Sequence, residues 1–160
     1  MATVKYIVIP HAAFLAELEI VVSRTTGRLE AVFDLAAAQA SAVRDALAYY
    51  RRVRFAGQAL DAEMVYQLRA LDGLSEQADR RGDPTIPAVF RVGTADAPKL
   101  SEAAALYVAD RDVESYQSPE ERDRIALLSQ LSEPLRQVAV DLRAAEAQLA
   151  DQAREPALVG

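Results

Sequence analysis

The stretch from Asp110 to Glu121, "DRDVESYQSPEE", holds oxygen-bearing side chains at spacings that suit a hard cation. Counted as a twelve-residue calcium loop, it places Asp110, Asp112 and Glu114 at positions 1, 3 and 5. Ser118 then falls at position 9, and Glu121 falls at position 12, where EF-hand loops carry a bidentate glutamate. The pattern makes Asp110, Asp112, Glu114 and Glu121 candidate metal ligands.

Two positions of this stretch depart from a calcium loop. Position 6, which needs glycine for a sharp turn, is Ser115, and position 8, which is usually apolar, is Gln117. The alternative interpretation is an acidic connection between two helices. In it, Ser118 caps the second helix and Glu121 completes a capping box. The acidic cap is the favoured interpretation, and the calcium loop is kept as its rival.

A second stretch, "YYRRVRF" from Tyr49 to Phe55, is basic and aromatic in an acidic chain. One interpretation is the C-terminal end of a helix, where cations interact favourably with the helix dipole. The other is a patch that docks an anion or an acidic partner. At 100° per residue the arginines spread around the helix rather than forming one stripe. We therefore predict a helix end first, and a partner-binding patch formed by Tyr49, Arg51, Arg52 and Arg54 second.

Composition excludes several classes of function. The chain has 160 residues, with 18 basic and 24 acidic side chains and a net charge of −6, which disfavours bulk binding of nucleic acid. It has no cysteine and one histidine, so disulfides, thiol catalysis and multi-histidine metal sites are excluded within one chain. No glycine-rich phosphate loop is present. We expect no enzyme activity and no cofactor, no membrane span, and a cytoplasmic protein.

The N-terminal part is ambiguous between helix and strand. Residues 1–10 are expected to form an extended arm, since "TVKYIVI" is β-branched and aromatic and ends at Pro10. From residue 11 to residue 34 the apolar spacing fits a helix, which we favour because that spacing continues into the next segment. The same residues also read as a β-hairpin around residues 18–34, with Gly27 in the turn.

Two central helices carry clear signals. Leu35 to Phe55 has apolar residues at steps of three and four, the pattern of a coiled-coil seam, and Gly57 follows its end. Asp61 is a candidate N-cap for a second helix, from Ala62 to about Arg80. Residues 82–100 are predicted to be an irregular connector that contains a brief strand from Ala88 to Val92, and Ser101 is expected to open a short helix.

The last helix has the strongest start signal. Ser118 is a preferred N-cap residue and Pro119 a preferred first residue, and the apolar stepping continues to about Ala153. Pro134 should bend this helix or restart it at Ser132. Residues 154–160 are expected to be a tail.

These elements predict a mainly α fold: an elongated antiparallel helical bundle or coiled coil in one domain, residues 1–160, with a short N-terminal extended segment. Because the two seams are long for one chain, we expect a homo-oligomer. The predicted function is a non-enzymatic structural or adaptor protein that binds itself and other proteins within a larger assembly, such as a phage or secretion particle. The alternative is a calcium- or anion-responsive module that uses Asp110–Glu121 or the Arg51–Arg54 helix end.

Overall fold

The computed structural model of the protein describes residues 6–7, 18–23, 27–78, 86–113 and 116–154. Side chains are described for these residues except 6, 7 and 152–154. The described part of the chain is mainly helical, as predicted, with a small antiparallel sheet. Its elements, in chain order, are β1 (Tyr6–Ile7), β2 (Glu19–Val22), β3 (Leu29–Leu35), α1 (Ala37–Phe55), α2 (Ala62–Ala78), β4 (Ala88–Gly93), α3 (Ala97–Arg111) and α4 (Pro119–Arg154).

The sheet is antiparallel and its strands lie in chain order, β1-β2-β3-β4. Alternate residues of β3 and β4 are buried, so one face of the sheet lies against the helices. Phe33 and Phe90 are paired across β3 and β4, and their rings stack with centroids 5.5 Å apart. Both rings are almost fully enclosed, which makes this pair the centre of the sheet side of the core.

The helix favoured for residues 11–34 is wrong where the structure describes that segment. Glu19–Val22 and Leu29–Leu35 pair as a hairpin, the alternative interpretation, and Gly27 in its turn has a φ of 71°. The left-handed conformation suits glycine because it has no Cβ. The hairpin prevails because β3 also pairs with β4, a strand distant in sequence that supplies its second row of hydrogen bonds. Residues 8–17 and 24–26 lie outside the described part of the chain.

Helices α1 and α2 each start within two residues of the predicted position. Gly57, just beyond α1, has a φ of 71°. The Asp61 carboxylate accepts a hydrogen bond from the Met64 N–H at 2.8 Å, so Asp61 is the N-cap of α2. Of the predicted arm, the structure describes Tyr6–Ile7, which form β1.

The described part of residues 82–100 contains a strand and the start of a helix, so it is more regular than the predicted connector. The expected brief strand is present as β4, Ala88–Gly93. Helix α3 starts at Ala97, four residues before the predicted start at Ser101. Pro98 lies in its first turn, where a missing N–H has no cost, and the Ser101 hydroxyl donates to the Pro98 carbonyl at 3.0 Å instead of capping.

Helix α4 starts at Pro119 as predicted and continues past Pro134 to Arg154, so the restart at Ser132 is wrong. Its apolar seam is buried inside the single chain, with Leu128, Leu131 and Leu142 each 0% exposed. Leu149, further along α4, is half-buried. Of the predicted tail, residues 154–160, all but Arg154 lie outside the described residues.

The helices pack on one another and on the sheet, with α4 against α3, α1 and β3, and α2 against α1 and β4. This arrangement does not confirm an elongated bundle or a coiled coil. The seams of α1 and α4 that motivated self-association are already used within one chain, as the burial of Val43, Leu47 and Leu135 shows. A second copy would need a different surface. None of the helices described here has both the length and the apolar character required to cross a membrane.

The outer edge of β4 is protected by a side chain of α2. Gln77 Oε1 accepts from the Arg91 N–H at 2.6 Å, and Gln77 Nε2 donates to the Arg91 carbonyl at 3.1 Å. One amide thereby replaces the two backbone hydrogen bonds that a further strand would supply. Covering an edge in this way reduces pairing with other chains.

Replacing Leu142 with alanine should lower the free energy of unfolding by about 2–5 kcal/mol, because the side chain is fully enclosed. Chemical denaturation of the variant and the parent measures it. The matched control is Leu60→Ala, since Leu60 is 71% exposed and its loss should cost within about 0.5 kcal/mol. Equal stability of the two variants would show that α4 does not pack as described.

Replacing Gln77 with alanine should expose the Arg91 amide to solvent. Loss of one hydrogen bond worth about 0.5–1.5 kcal/mol predicts amide exchange at Arg91 roughly 2–10 times faster. Hydrogen exchange followed by NMR measures this, with the Phe90 amide, which belongs to the β3–β4 ladder, as the internal reference. An unchanged rate at Arg91 would rule out the proposed protection of the edge.

A buried carboxylate and a polar cleft as the candidate functional site

Glu121 is the most deeply buried acidic side chain among the described residues, at 8% exposure. It lies in the first turn of α4, where its N–H donates to the Ser118 hydroxyl at 3.1 Å, so the predicted cap by Ser118 is present. Its carboxylate, however, bonds to side chains of α3 and α4. Glu121 therefore joins helices, a role that the capping-box pattern did not indicate.

Three side chains donate hydrogen bonds to this carboxylate. The Tyr107 hydroxyl lies 2.8 and 2.9 Å from its two oxygens, Arg111 Nε lies 3.1 Å from Oε1, and Arg124 Nη1 lies 2.5 Å from Oε2. Burial alone would raise the pKa of Glu121. The hydrogen bonds from Tyr107 and Arg111 and the positive charges of Arg111 and Arg124 outweigh burial, and the pKa lies below its usual value.

Arg124 extends the network to α1. Its Nε lies 2.9 Å from Asp45 Oδ2, and its Nη1 also donates to the Tyr107 hydroxyl at 3.3 Å. One guanidinium thus binds carboxylates of two different helices, and a third helix, α3, contributes Tyr107. Because a buried ion without partners is costly, these contacts fix how α1, α3 and α4 sit against each other.

Tyr49, a predicted partner-binding residue, lies at the edge of the same network. Its hydroxyl donates to Asp110 Oδ2 at 2.8 Å, and its ring meets that of Tyr107 edge-on with centroids 5.4 Å apart. The hydrogen bond to Asp110 and burial raise the pKa of Tyr49, although Arg111 and Arg52 oppose them. Burial also raises the pKa of Tyr107, so both hydroxyls keep their protons at neutral pH.

These side chains surround a cleft of about 270 Å³. The guanidinium of Arg111 lies 5.8 Å from the centre of the Tyr49 ring and 5.6 Å from that of Tyr107, and Arg52 lies 5.4 Å from the Tyr49 ring. Arg111 and Arg124 are paired with carboxylates, whereas Arg52 has only its stacking contact among the described residues. The cleft is lined by Asp45, Ala48, Tyr49, Arg52, Tyr107, Arg111 and Arg124.

Among the described residues, the structure does not bring the candidate calcium ligands Asp110, Asp112 and Glu121 together. Asp110 belongs to α3, which extends through Arg111, and its carboxylate holds Tyr49. Glu121 faces two arginines, and Asp112 lies on the exposed turn after α3. Glu114 lies outside the described residues. In the part of the chain that the structure describes, no group of three or more acidic, histidine or cysteine side chains is arranged to hold a metal ion.

The three predicted arginines each have a different neighbour. Arg51 Nη1 forms an ion pair with Asp72 of α2, Arg52 stacks on Tyr49, and the Arg54 guanidinium lies 5.6 Å from the centre of the Tyr50 ring. Arg51 and Arg52 line a hollow of about 360 Å³ with an apolar floor that includes Phe55 and Leu68, and Arg54 is not among the lining residues. We call the C-terminal end of α1, with this hollow and the side chains of Arg51, Arg52 and Arg54, the arginine end.

Sequence reasoning missed four residues of the network, namely Asp45, Tyr107, Arg111 and Arg124. Two local signals were available, because Tyr107 and Arg111 are four apart and Glu121 and Arg124 are three apart on their helices. The contact between the two pairs depends on how α3 and α4 pack, which spacing along one helix does not give.

Comparison of the chain with protein-family models, with curated proteins and with solved structures finds no match.

Replacing Glu121 with glutamine should destabilise the protein at neutral pH by about 1–3 kcal/mol, because hydrogen bonds to a charged acceptor are lost. The pKa of Glu121 is lower in the folded than in the unfolded chain, so its charge stabilises the fold fully at a pH above the ordinary pKa of a glutamate. That stabilisation disappears as the pH falls through the folded-state pKa.

Unfolding of parent and variant, measured between pH 7 and pH 3, tests this. The difference in stability should shrink on acidification. The control is Glu133→Gln, which alters an exposed pair with Arg136 and should cost less than about 1 kcal/mol. A difference that stays constant with pH would contradict the role given to the Glu121 charge.

Proposed function

We propose that this protein is a non-enzymatic adaptor that binds itself and other protein chains within a larger assembly, and that the arginine end is its contact for an acidic partner. The observation that carries the proposal is the juxtaposition of unneutralised arginines with exposed apolar side chains at one end of the α1–α2 hairpin.

The arginines are oriented but not neutralised. Arg52 and Arg54 lie against tyrosine rings, and neither forms an ion pair within the described part of the chain. Stacking limits the motion of a guanidinium and leaves its N–H groups able to donate. A partner carboxylate would therefore meet donors already held in place, which lowers the entropy cost of binding.

Apolar side chains near the same helix connection are exposed to solvent. Val53 is 44% exposed, Leu60 71% and Tyr66 62%. Interfaces between proteins are enriched in aromatic residues and arginine, with apolar groups at the centre and charges at the rim. The arginine end has this composition, with Phe55 and Leu68 on its floor.

The local charge supports an acidic partner. Residues 44–54 hold four arginines and one aspartate, a local charge of +3 in a chain of −6. This local field attracts an acidic protein surface, whereas the overall charge repels a phosphate polymer at long range. A compact acidic and apolar protein surface fits both conditions.

The double variant Arg52→Gln/Arg54→Gln should lose this partner while keeping its stability. Arg51 is left in place because its ion pair with Asp72 joins α1 to α2. Exposed charges of this kind are usually worth less than about 1 kcal/mol to folding, so the melting curve should barely move. Binding should weaken more, and the parent's own binding should weaken as salt is added.

The parent and the double variant are used side by side to capture binding proteins from a lysate of the cell that makes the protein. The affinity of each for the purified partner is then measured. The control is Arg91→Gln/Arg122→Gln, which changes the net charge by the same amount at exposed positions elsewhere. We expect the control to bind like the parent. Equal binding by both double variants would refute the arginine end as the contact, and a large drop in melting temperature of the first would assign it to folding.

A further inference from the structure

A groove of about 700 Å³ lies between α3 and α4, apart from the cleft and the arginine end. Its floor is formed by small apolar residues, among them Ala105 on α3 and Ala139, Ala144 and Ala147 on α4. Ala105, Ala144 and Ala147 are exposed to solvent, whereas Ala139 is half-buried and also packs against the core. Val140, at 45% exposure, projects beside them.

Three charged side chains line this groove, and Arg136 is already paired with Glu133 of its own helix, which leaves Glu102 and Arg143 as charges of opposite sign at opposite ends. Thr94 bonds to Glu146 and Tyr107 bonds to Glu121, so α3 and α4 run antiparallel. It follows that Glu102 on α3 lies toward the Ser132 end of the groove, whereas Arg143 on α4 lies toward the Pro98 end. Arg143 is exposed and forms no ion pair within the described part of the chain.

We infer that a second copy of this chain docks in the α3–α4 groove. A two-fold contact needs one surface that carries both a projection and its recess, and both members of each charge pair. Val140 is the projection and the alanines are the recess. With a two-fold axis midway between Glu102 and Arg143, Glu102 of each copy faces Arg143 of the other, and Val140 lies beside that axis.

The Tyr50 hydroxyl, which donates to Glu102 at 3.0 Å, does not block this contact. A carboxylate has about four acceptor sites, so Glu102 can accept from Tyr50 and from an arginine together. The tyrosine also fixes the position of the carboxylate. Burial, and then the hydrogen bond to Glu102, raise the pKa of Tyr50, so the tyrosine remains a donor at neutral pH.

Charge reversal tests the pairing in solution. The parent should be a dimer by light scattering behind a sizing column. Arg143→Glu and Glu102→Arg should each raise the dissociation constant of the dimer by about tenfold or more, because each places like charges opposite each other twice. The combined variant, with both charges exchanged, should regain dimerisation. A monomeric parent, or a combined variant as weak as either single variant, would overturn the inference.

Two controls separate this result from damage to the fold. Tyr50→Phe removes the same hydrogen bond from Glu102 without changing its charge and should remain dimeric. Arg122→Glu reverses an exposed arginine of α4 outside the groove and should also remain dimeric. If either control dissociates as Arg143→Glu does, the groove is not the interface.

The inference rests on the self-association included in the proposed function, and its failure can be told apart from failure of partner binding. The Arg52→Gln/Arg54→Gln variant should lose the acidic partner and remain dimeric. Loss of dimerisation in that variant would place the self-contact at the arginine end and overturn the groove.

Discussion

The buried carboxylate of Glu121 is the constraint on which the helical half of the structure depends. An ionised carboxyl group removed from water costs several kcal/mol unless charges and hydrogen bonds surround it. Tyr107 and Arg111 supply them from α3, and Arg124 supplies them from α4 and binds Asp45 of α1. The hydrophobic seam of α4 would tolerate small shifts along its length, but these directional bonds select one register. The apolar core thus provides most of the stability, and the network around Glu121 determines how the helices align.

The sequence was sufficient where the signal is local. Asp61 and Ser118 act on their own helix starts, and both caps are present as predicted. It was insufficient where the partner is distant. The spacing of Leu29 to Leu35 fits a helix as well as a strand, and the strand prevails because β4 pairs with it from far along the chain. Glu121 shows the same limit, since its place in a capping pattern is visible in the sequence but its partners on α3 are not.

The packing also changes the argument for assembly. The long seams of α1 and α4 suggested a coiled coil between chains, yet their residues are enclosed within one chain, Leu142 among them. Two surfaces that remain open on the described part of the chain are the α3–α4 groove and the arginine end. The two surfaces are linked through Tyr50, whose ring lies against Arg54 and whose hydroxyl bonds to Glu102 at the groove. Self-association and partner docking would then use adjoining surfaces on one rigid set of helices, which is the arrangement that an adaptor requires.

The central claim is that two copies meet at the α3–α4 groove, and a single engineered cysteine tests it most directly because the chain has none of its own. Val140→Cys places one thiol beside the inferred two-fold axis, and Ser129→Cys places one on an exposed part of α4 away from the groove. Under mild oxidation at a concentration where the parent is dimeric, the account predicts a covalent dimer for Val140→Cys and none for Ser129→Cys. Equal cross-linking of the two variants, or no cross-linking of Val140→Cys, would contradict it.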